Sequence, residues 1–550
     1  MVNRLARACF LLLLLLLAIA GAGCGPGDTP GRAPVAAPPG PPDSGDWFVL
    51  PIDFDPATLN FVSGTDTSQA LVARFVADSL VDEGEDLQPV PRLADSWEFS
   101  ADRKVLTFHL RRGVRWHDGA PFSSRDVLFT YRKILDPASR ARAVFLQEIR
   151  EVTAPDDFTV RVAYREPTVL ALDAWKFPIV AEHLLSQGDF MSSPVHLAPV
   201  GTGPFRFVSW HRGREIVLEA NRDYVLGRPH LDRIVLRVIP SRATQLQSLL
   251  TGETDWSSIP PEEWDSLRAD AGFRRRFRMF EHPALYLYYI AWNGRTPLFS
   301  DVRVRRAMTL SLDREEYLRK VYRGAGVVAA TTFHPRQFGY DPSLSPLPFD
   351  PDRASALLDE AGWKRDPRDG SRSREGKPFR FEILIFQGNP VQEQIAALLQ
   401  EGLSRNGVKM EIRVLDFPAL LDRLRRHDYE AAFSGWFLTP DPDPAPFFHS
   451  DPALGASNYV GYSDPEADRL IAEAHHAFDP GARRSIYKRV QEILHRDQPY
   501  TFLFFPMQRV AMDGRFRGAR ATAAGGPLRT FPGILEWYVP AGERKHGGAR

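Results

Sequence analysis

Between Tyr429 and Asp451 the chain reads YEAAFSGWFLTPDPDPAPFFHSD. A short apolar segment ends at Trp436, and Pro440 and Pro442 then hold Asp441 and Asp443 in a stiff, exposed loop. An indole can stack on a ligand, and a carboxylate can hold a cation or carry a proton, so the stretch suits recognition or catalysis. Catalytic spacing is missing elsewhere: the chain has no GxSxG, HExxH, GxxxxGK[ST] or CxxC. GYSDP at 461–465 lacks the second Gly of a serine elbow. His475 and His476 are adjacent and point about 100° apart on a helix, which reads as solvated surface rather than a metal pair. No two carboxylates are spaced as acid and base. The reading is no catalytic residue, no metal ligand and no cofactor. Aromatic residues are abundant, with 36 Phe, 15 Tyr and 11 Trp, and such side chains line pockets as well as cores. The residues point to a binder.

The elements that would position this loop follow from periodicity. VLTFHLR and FTVRVAY alternate Leu106, Phe108 and Leu110, and Phe158, Val160, Val162 and Tyr164, as strands do. From about residue 350 strands and helices take turns. FDPDRASALLDEAGW reads as a helix with Asp at its start and Gly362 past its end. FRFEILIF is a strand, PVQEQIAALLQEGLSRNG a helix closing on Gly407, VKMEIRVL a strand, FPALLDRLRRH a helix and YEAAF a strand. This βαβαβ grammar predicts an open, mostly parallel sheet. The loop then begins at the carboxyl end of a strand, where open α/β sheets bind ligands.

The amino terminus predicts the compartment. MVNRLARACFLLLLLLLAIAGAGC places Arg4 and Arg7 before an apolar run from Phe10 to Ala20, the order of an export signal over 1–23. AGAGC resembles a lipobox whose Cys24 is lipidated. The chain has two cysteines, Cys9 within the signal and Cys24 at its end, so the exported body has no thiol for a disulfide. The Pro- and Gly-rich 24–46 reads as a disordered tether, and 541–550 as a frayed tail. The chain is 43% hydrophobic and 25% charged, with length for at least two cores. Lys+Arg and Asp+Glu balance at 69 each, which gives no support for binding nucleic acid or a polybasic role at a membrane.

RLADSWEFSADRKVLTFHLRRGVRWHDGAPFSSRDVLFTYRKILDP (92–137) resembles the signature block of the family 5 solute-binding proteins, the oligopeptide and dipeptide receptors of ABC importers. PVGTGPFRFVSW (199–210), TGETDW (251–256), NGRTPLFSDVRVRRAMTLSLDREE (293–316), FDPDRASALLDEAGW (349–363), SNYVGYSDPEADRLIAEA (457–474) and RRSIYKRVQEILHRDQPYTFLFF (483–505) resemble later landmarks in the same order. The resemblance implies a two-lobed α/β periplasmic-binding-protein fold, type II-like and hinged. Lobe I would use 47–77, 181–284 and 505–540, with an extra strand-rich domain inserted at 78–180, and lobe II would be 285–504. It implies capture of an oligopeptide or peptide-like ligand between the lobes by a lipid-anchored, extracytoplasmic monomer, on the periplasmic face in a Gram-negative host. An ABC permease would take the ligand. By the same resemblance Ser63, Gly64 and Thr65 of FVSGT form a lobe I ligand loop, opposed by Trp292, Asn293, Trp436 and the loop after it. Peptide-binding members carry an Asp three residues past the Trp to hold the α-ammonium; that position here is Thr439. Either Asp441 reaches in from a shifted loop, or the ligand is a modified peptide, a glycan or a metal chelate. A lipid-anchored hydrolase of peptides or glycans, and a sensor or chaperone on the same fold, are the readings from other classes.

Overall fold

A continuous apolar run, WFVLPI, buried at every position from Phe48 to Ile52, starts the first sheet of the body. In the computed structural model, which describes residues 44–546 apart from 64–65, 140–145, 147, 388–389, 523–524 and 530, strand Trp47–Ile52 runs parallel to Arg233–Val238. That strand continues antiparallel through Glu215–Ala220 to Phe205–His211. Helix Thr67–Val76 begins where the Asp66 carboxylate accepts from Gln69 N at 2.6 Å. It packs Val72, Phe75 and Val76 into the core of this first lobe. The signal segment, Cys24 and the tether up to residue 43 lie outside the described residues. No helix among the described residues is long and apolar enough to cross a membrane.

The strands expected between residues 97 and 164 belong to an antiparallel sheet of their own, in the order Ala94–Phe99, Val105–Leu110, Thr159–Tyr164, Ile149–Asp156. Leu106, Phe108, Val160 and Val162 point to one side and are fully buried with Val127 and Ile134 of helix Ser124–Leu135. Period-two patterning forces that result, since alternate residues share a face.

In the second lobe the expected alternation is present: helix Pro351–Glu360, strand Arg380–Phe386, helix Pro390–Arg405, strand Lys409–Leu415, helix Phe417–Arg425 and strand Ala431–Phe437. Gly362 sits just past the first of these helices with φ +86°, a left-handed conformation that a side chain would strain. The sheet is mixed, not mostly parallel as expected. Arg380–Phe386 is parallel to both of its neighbours, but Ala431–Phe437 runs antiparallel to Tyr286–Trp292, and that strand antiparallel to Tyr500–Asp513. Strand Tyr286–Trp292 arrives directly from Phe277–Pro283 without a crossover helix, and strands so connected need not pair in parallel. Helices Val302–Leu310, Arg314–Tyr322, Pro351–Glu360 and Pro390–Arg405 cover one face of the sheet. Helices Phe417–Arg425, Pro465–His476 and Pro480–Asp497 cover the other.

Strand Tyr500–Asp513 serves both halves of the molecule. Its start pairs with Tyr286–Trp292, and residues 507–513 pair with Phe277–Pro283. Ala284 N donates to Pro506 O at 3.0 Å where the two chains pass from one half to the other.

Two expectations about the ends need correction. Asp46, expected to close the disordered tether, is fully buried and accepts from Arg515 Nε at 2.9 Å. Residues 541–546, expected to fray, pack: Lys545 Nζ meets Asp513 at 2.6 Å, and the His546 ring stacks on Trp47 with centroids 4.5 Å apart. Buried Arg515 draws Asp46, Asp255 and Asp513 together, and a mixture of small and polar residues does not reveal such a partner.

Candidate functional site

Strand Ala431–Phe437 runs further than the YEAAF segment, so Gly435, Trp436 and Phe437 belong to the strand and the loop starts at Leu438. Neighbours on a strand face opposite sides of a sheet. Trp436 therefore turns into the second lobe, where its ring stacks on Tyr289 at 5.6 Å and Tyr459 at 5.8 Å and meets Phe447 at 4.5 Å. Phe437 turns outward and is 67% exposed. It meets Tyr286, its cross-strand partner, edge to face at 4.8 Å. Gly435 makes that pairing possible, because a Cβ there would lie 2.0 Å from the Tyr286 hydroxyl.

The carboxylates of the Asp-Pro loop are committed to the second lobe's own helices. Asp441 receives both terminal nitrogens of Arg483 at 2.7 Å, and Tyr487 Oη donates to Pro442 O at 2.7 Å. Burial pushes the Asp441 carboxyl up from its usual range despite that pair. Asp443 accepts from His475 Nε2 at 2.8 Å and from Ala445 N at 3.0 Å. Burial, the largest single influence, would lower the His475 pKa, but the hydrogen bond and the charge of Asp443 together outweigh it and the net shift is upward. Thr439 is exposed; its hydroxyl donates to Asp441 O at 2.6 Å, and its carbonyl accepts from Gln337. The idea that Asp441 reaches into the cleft is corrected by Arg483, which offers it a two-point partner. His475 and His476 are likewise not simply solvated, since His476 Nδ1 donates to Pro167 O at 2.6 Å and Val169 N donates to His475 O at 2.9 Å.

Trp292 and Asn293 are corrected too. Trp292 is 1% exposed, packs on Phe299 and Phe381, and donates from Nε1 to Thr501 Oγ1 at 3.0 Å. Asn293 is equally buried, and its amide donates to the carbonyls of Tyr429 at 2.7 Å and His427 at 3.0 Å. An aromatic-polar pair at a strand end looks the same in sequence whether it faces a ligand or closes a core. Ser63 is half-buried, with its amide held by Asn60 Oδ1 at 3.3 Å; Gly64 and Thr65 lie outside the described residues.

A cavity of about 350 Å³ lies where the two lobes meet. One wall is helix Thr67–Val76, which presents Thr67, Ala70, Leu71 and Arg74. That spacing of three, four and seven residues defines a single helical face. The connection between Phe277–Pro283 and Tyr286–Trp292, with Tyr286 and Phe437, forms a second wall. Gln508 and the segment from Gly525 to Arg529 close the site. Gly526 is required there, because a Cβ would sit 2.5 Å from His282 Nε2.

Two guanidiniums and no carboxylate line this cavity. The Arg74 guanidinium makes no hydrogen bond or ion pair with any described residue. Burial lowers its pKa, and the nearby Arg92 and Arg529 push the same way against Asp82 and Glu83. Asp82 is itself paired with Arg92 at 3.4 Å. Arg529 Nε stands 3.8 Å from Glu83 Oε1, an oxygen that accepts no hydrogen bond, and burial holds Arg529 below its ordinary value. None of the cavity-lining residues was named singly as a candidate from sequence, and only Phe437 lay in a candidate stretch, the one after Trp436. The stripe of Thr67, Ala70, Leu71 and Arg74 was the one signal that could have exposed the first wall.

A two-lobed α/β body with a cavity between the lobes is the build of an extracytoplasmic solute-binding protein. The family model for bacterial extracellular solute-binding proteins, family 5 (middle region), matches residues 88–456, and the chain belongs to that family. The oligopeptide-binding protein AppA of Bacillus subtilis is 29% identical over 513 residues, covering 91% of this chain and 93% of the relative. Heme-binding protein A of Haemophilus influenzae is 28% identical over 480 residues, covering 82% and 84%. The solved structure of Bacillus subtilis AppA in complex with a nonapeptide superposes with a TM-score of 0.82 at 28% identity, covering 91% of this chain and all of that one.

Proposed function

We propose that this protein is a lipid-anchored receptor that captures a peptide or peptide-like ligand between its lobes and delivers it to an ABC permease. The observation that carries the reading is the cavity at the lobe junction, whose walls come from both lobes and from the strands that connect them. Membership of the solute-binding family, and relatives whose names record binding of oligopeptide and heme, support it. The lobes divide near residues 284–285 and 504–506, where strand connections cross between the paired sheets. These connections act as the hinge, since a few residues at the ends of elements can absorb closure. The contacts of His475 and His476 with Pro167 and Val169 belong to the closed form and hold the inserted domain against lobe II. The protein acts as a monomer and performs no chemistry on its cargo: ligand affinity that differs between open and closed forms shifts the population toward closure. Cys24 carries the lipid, and the residues after it hold the body off the membrane.

Small-angle scattering tests the mechanism: the radius of gyration falls when a bound ligand saturates the protein, and an unchanged radius removes the hinge. A ligand at 100 times its dissociation constant adds roughly 2.7 kcal/mol of stability by mass action. Cys24→Ser releases the protein from membranes or leaves it unprocessed. Processed Cys24→Ser protein that still fractionates with membranes would refute the anchor.

A further inference from the structure

The charge inside the cleft has the opposite sign to that expected of a site built around a peptide ammonium. The two carboxylates closest to the position expected of an ammonium anchor are occupied, Asp441 by Arg483 and Asp443 by His475. The cavity wall carries Arg74 and Arg529 instead, one from the first lobe's helix and one from the carboxyl-terminal segment. Glu83, the carboxylate paired with Arg529, and Asp82, which acts on Arg74 and pairs with Arg92, both lie outside the cavity lining. The residues outside the described set between Trp47 and His546 include no Asp or Glu that could join the lining. A half-buried guanidinium without a partner is costly, and a bound anion would remove that cost.

From this we infer that the interlobe cavity selects a ligand bearing a carboxylate, received by the Arg74 and Arg529 guanidiniums while Tyr286 and Phe437 supply an aromatic wall. A guanidinium presents a planar fork of N–H donors that matches a carboxylate in two-point geometry. Two such forks on separate segments can share one carboxylate or hold two. Tyr286 and Phe437, packed edge to face, give the rest of the ligand a surface that binds by area rather than by charge. Charge pairing would therefore set the ligand class, and the aromatic wall would tolerate variety within it. The inference rests on the receptor reading and narrows it from peptide-like ligands to anionic ones.

Calorimetry on the full-length protein, with acetylated probes that carry no ammonium, tests it. The probes are acetyl-trialanine as free acid and as carboxamide, acetyl-Ala-Glu-Ala-amide, whose only carboxylate is a side chain, and Fe(III)–EDTA as a non-peptide polycarboxylate. At least one carboxylate probe should bind at least tenfold more tightly than the neutral amide. Arg74→Gln and Arg529→Gln should each remove most of that preference. Which carboxylate wins separates a chain terminus, an acidic side chain and a chelate as the source. Binding of the neutral amide as tight as the acid overturns the inference and leaves the receptor reading standing; this comparison needs no variant to fold. A preference that survives both substitutions also overturns it. Failure of every probe, acidic or neutral, to bind the folded protein would sink both readings, whereas binding of Fe(III)–EDTA alone, lost in Arg529→Gln, would uphold the anionic cleft and remove the peptide.

Discussion

The Asp-Pro loop and the cavity wall are separated by a few residues of one strand, yet they treat charge in opposite ways. Past Phe437, every carboxylate of the TPDPDP stretch has a cationic partner from the lobe's own helices, Arg483 for Asp441 and His475 for Asp443. On the cavity side, the Arg74 guanidinium has no bonded partner among the described residues, and Arg529 has the Leu438 carbonyl at 3.5 Å and Glu83 at 3.8 Å. The strand itself draws the boundary. Trp436 faces the interior and joins an aromatic stack, while Phe437 faces the cavity and stays 67% exposed. A loop with conspicuous chemistry can thus be architecture, and a helix with plain sequence can line the site. Charges that find partners within the fold stabilise the fold; charges that do not are left for a ligand.

Substitutions can break this contrast in a graded way. The largest effect belongs to the interior: Trp292→Ala should cost about 3–5 kcal/mol, since a fully buried indole leaves a cavity and takes one of the two hydrogen bonds of the Thr501 hydroxyl with it. Urea unfolding measures it, and a cost under about 1 kcal/mol would return Trp292 to the cleft. Next comes the loop. Arg483→Met removes the two-point partner of Asp441 and should cost about 2–3 kcal/mol, below the usual loss for a fully buried pair because Asp441 remains 28% exposed. Its ligand preference should not change, and altered preference for carboxylate would place Asp441 in the site after all.

Phe437→Ala should do the reverse. Stability should stay within about 0.5 kcal/mol, because the ring is exposed, while affinity for any ligand of the cleft falls. Calorimetry and thermal melting of the same sample separate the two outcomes; unaltered affinity would take Phe437 off the binding wall.

The smallest effect is a pH dependence. The folded-state pKa of His475 is raised: burial opposes the charged form, but the hydrogen bond and charge of Asp443 together outweigh it. Its stabilisation is therefore fully present below the unfolded value of about 6.5 and is lost as pH rises through the higher folded value. Wild-type stability should decline over that window more steeply than that of His475→Gln. Identical slopes for the two proteins would mean the pair contributes nothing.

Much of the framework is legible in the order of residues along the chain. The strands around Leu106 and Val160, the helix–strand alternation after Pro351, and the left-handed Gly362 all follow from local periodicity and capping, which depend on residues a few positions apart. The family landmarks point to the two-lobed fold for the same reason. The end of strand Ala431–Phe437 is less accessible, because Gly435 reads as a breaker until Tyr286 is seen lying against it.

What the sequence determined by itself was the grammar of the elements, the absence of catalytic spacing and the mismatch at Thr439, each of them a matter of residue type and short-range order. What only the tertiary structure decided was the destination of each charge and ring. Arg483 reaches Asp441 from a separate helix, Trp292 and Trp436 turn to opposite faces of one sheet, and Arg74 and Arg529 come to a single cavity from distant parts of the chain. The physical reason is that a buried charge is stable only beside a partner, and the fold, bringing distant segments together, is what supplies or withholds that partner.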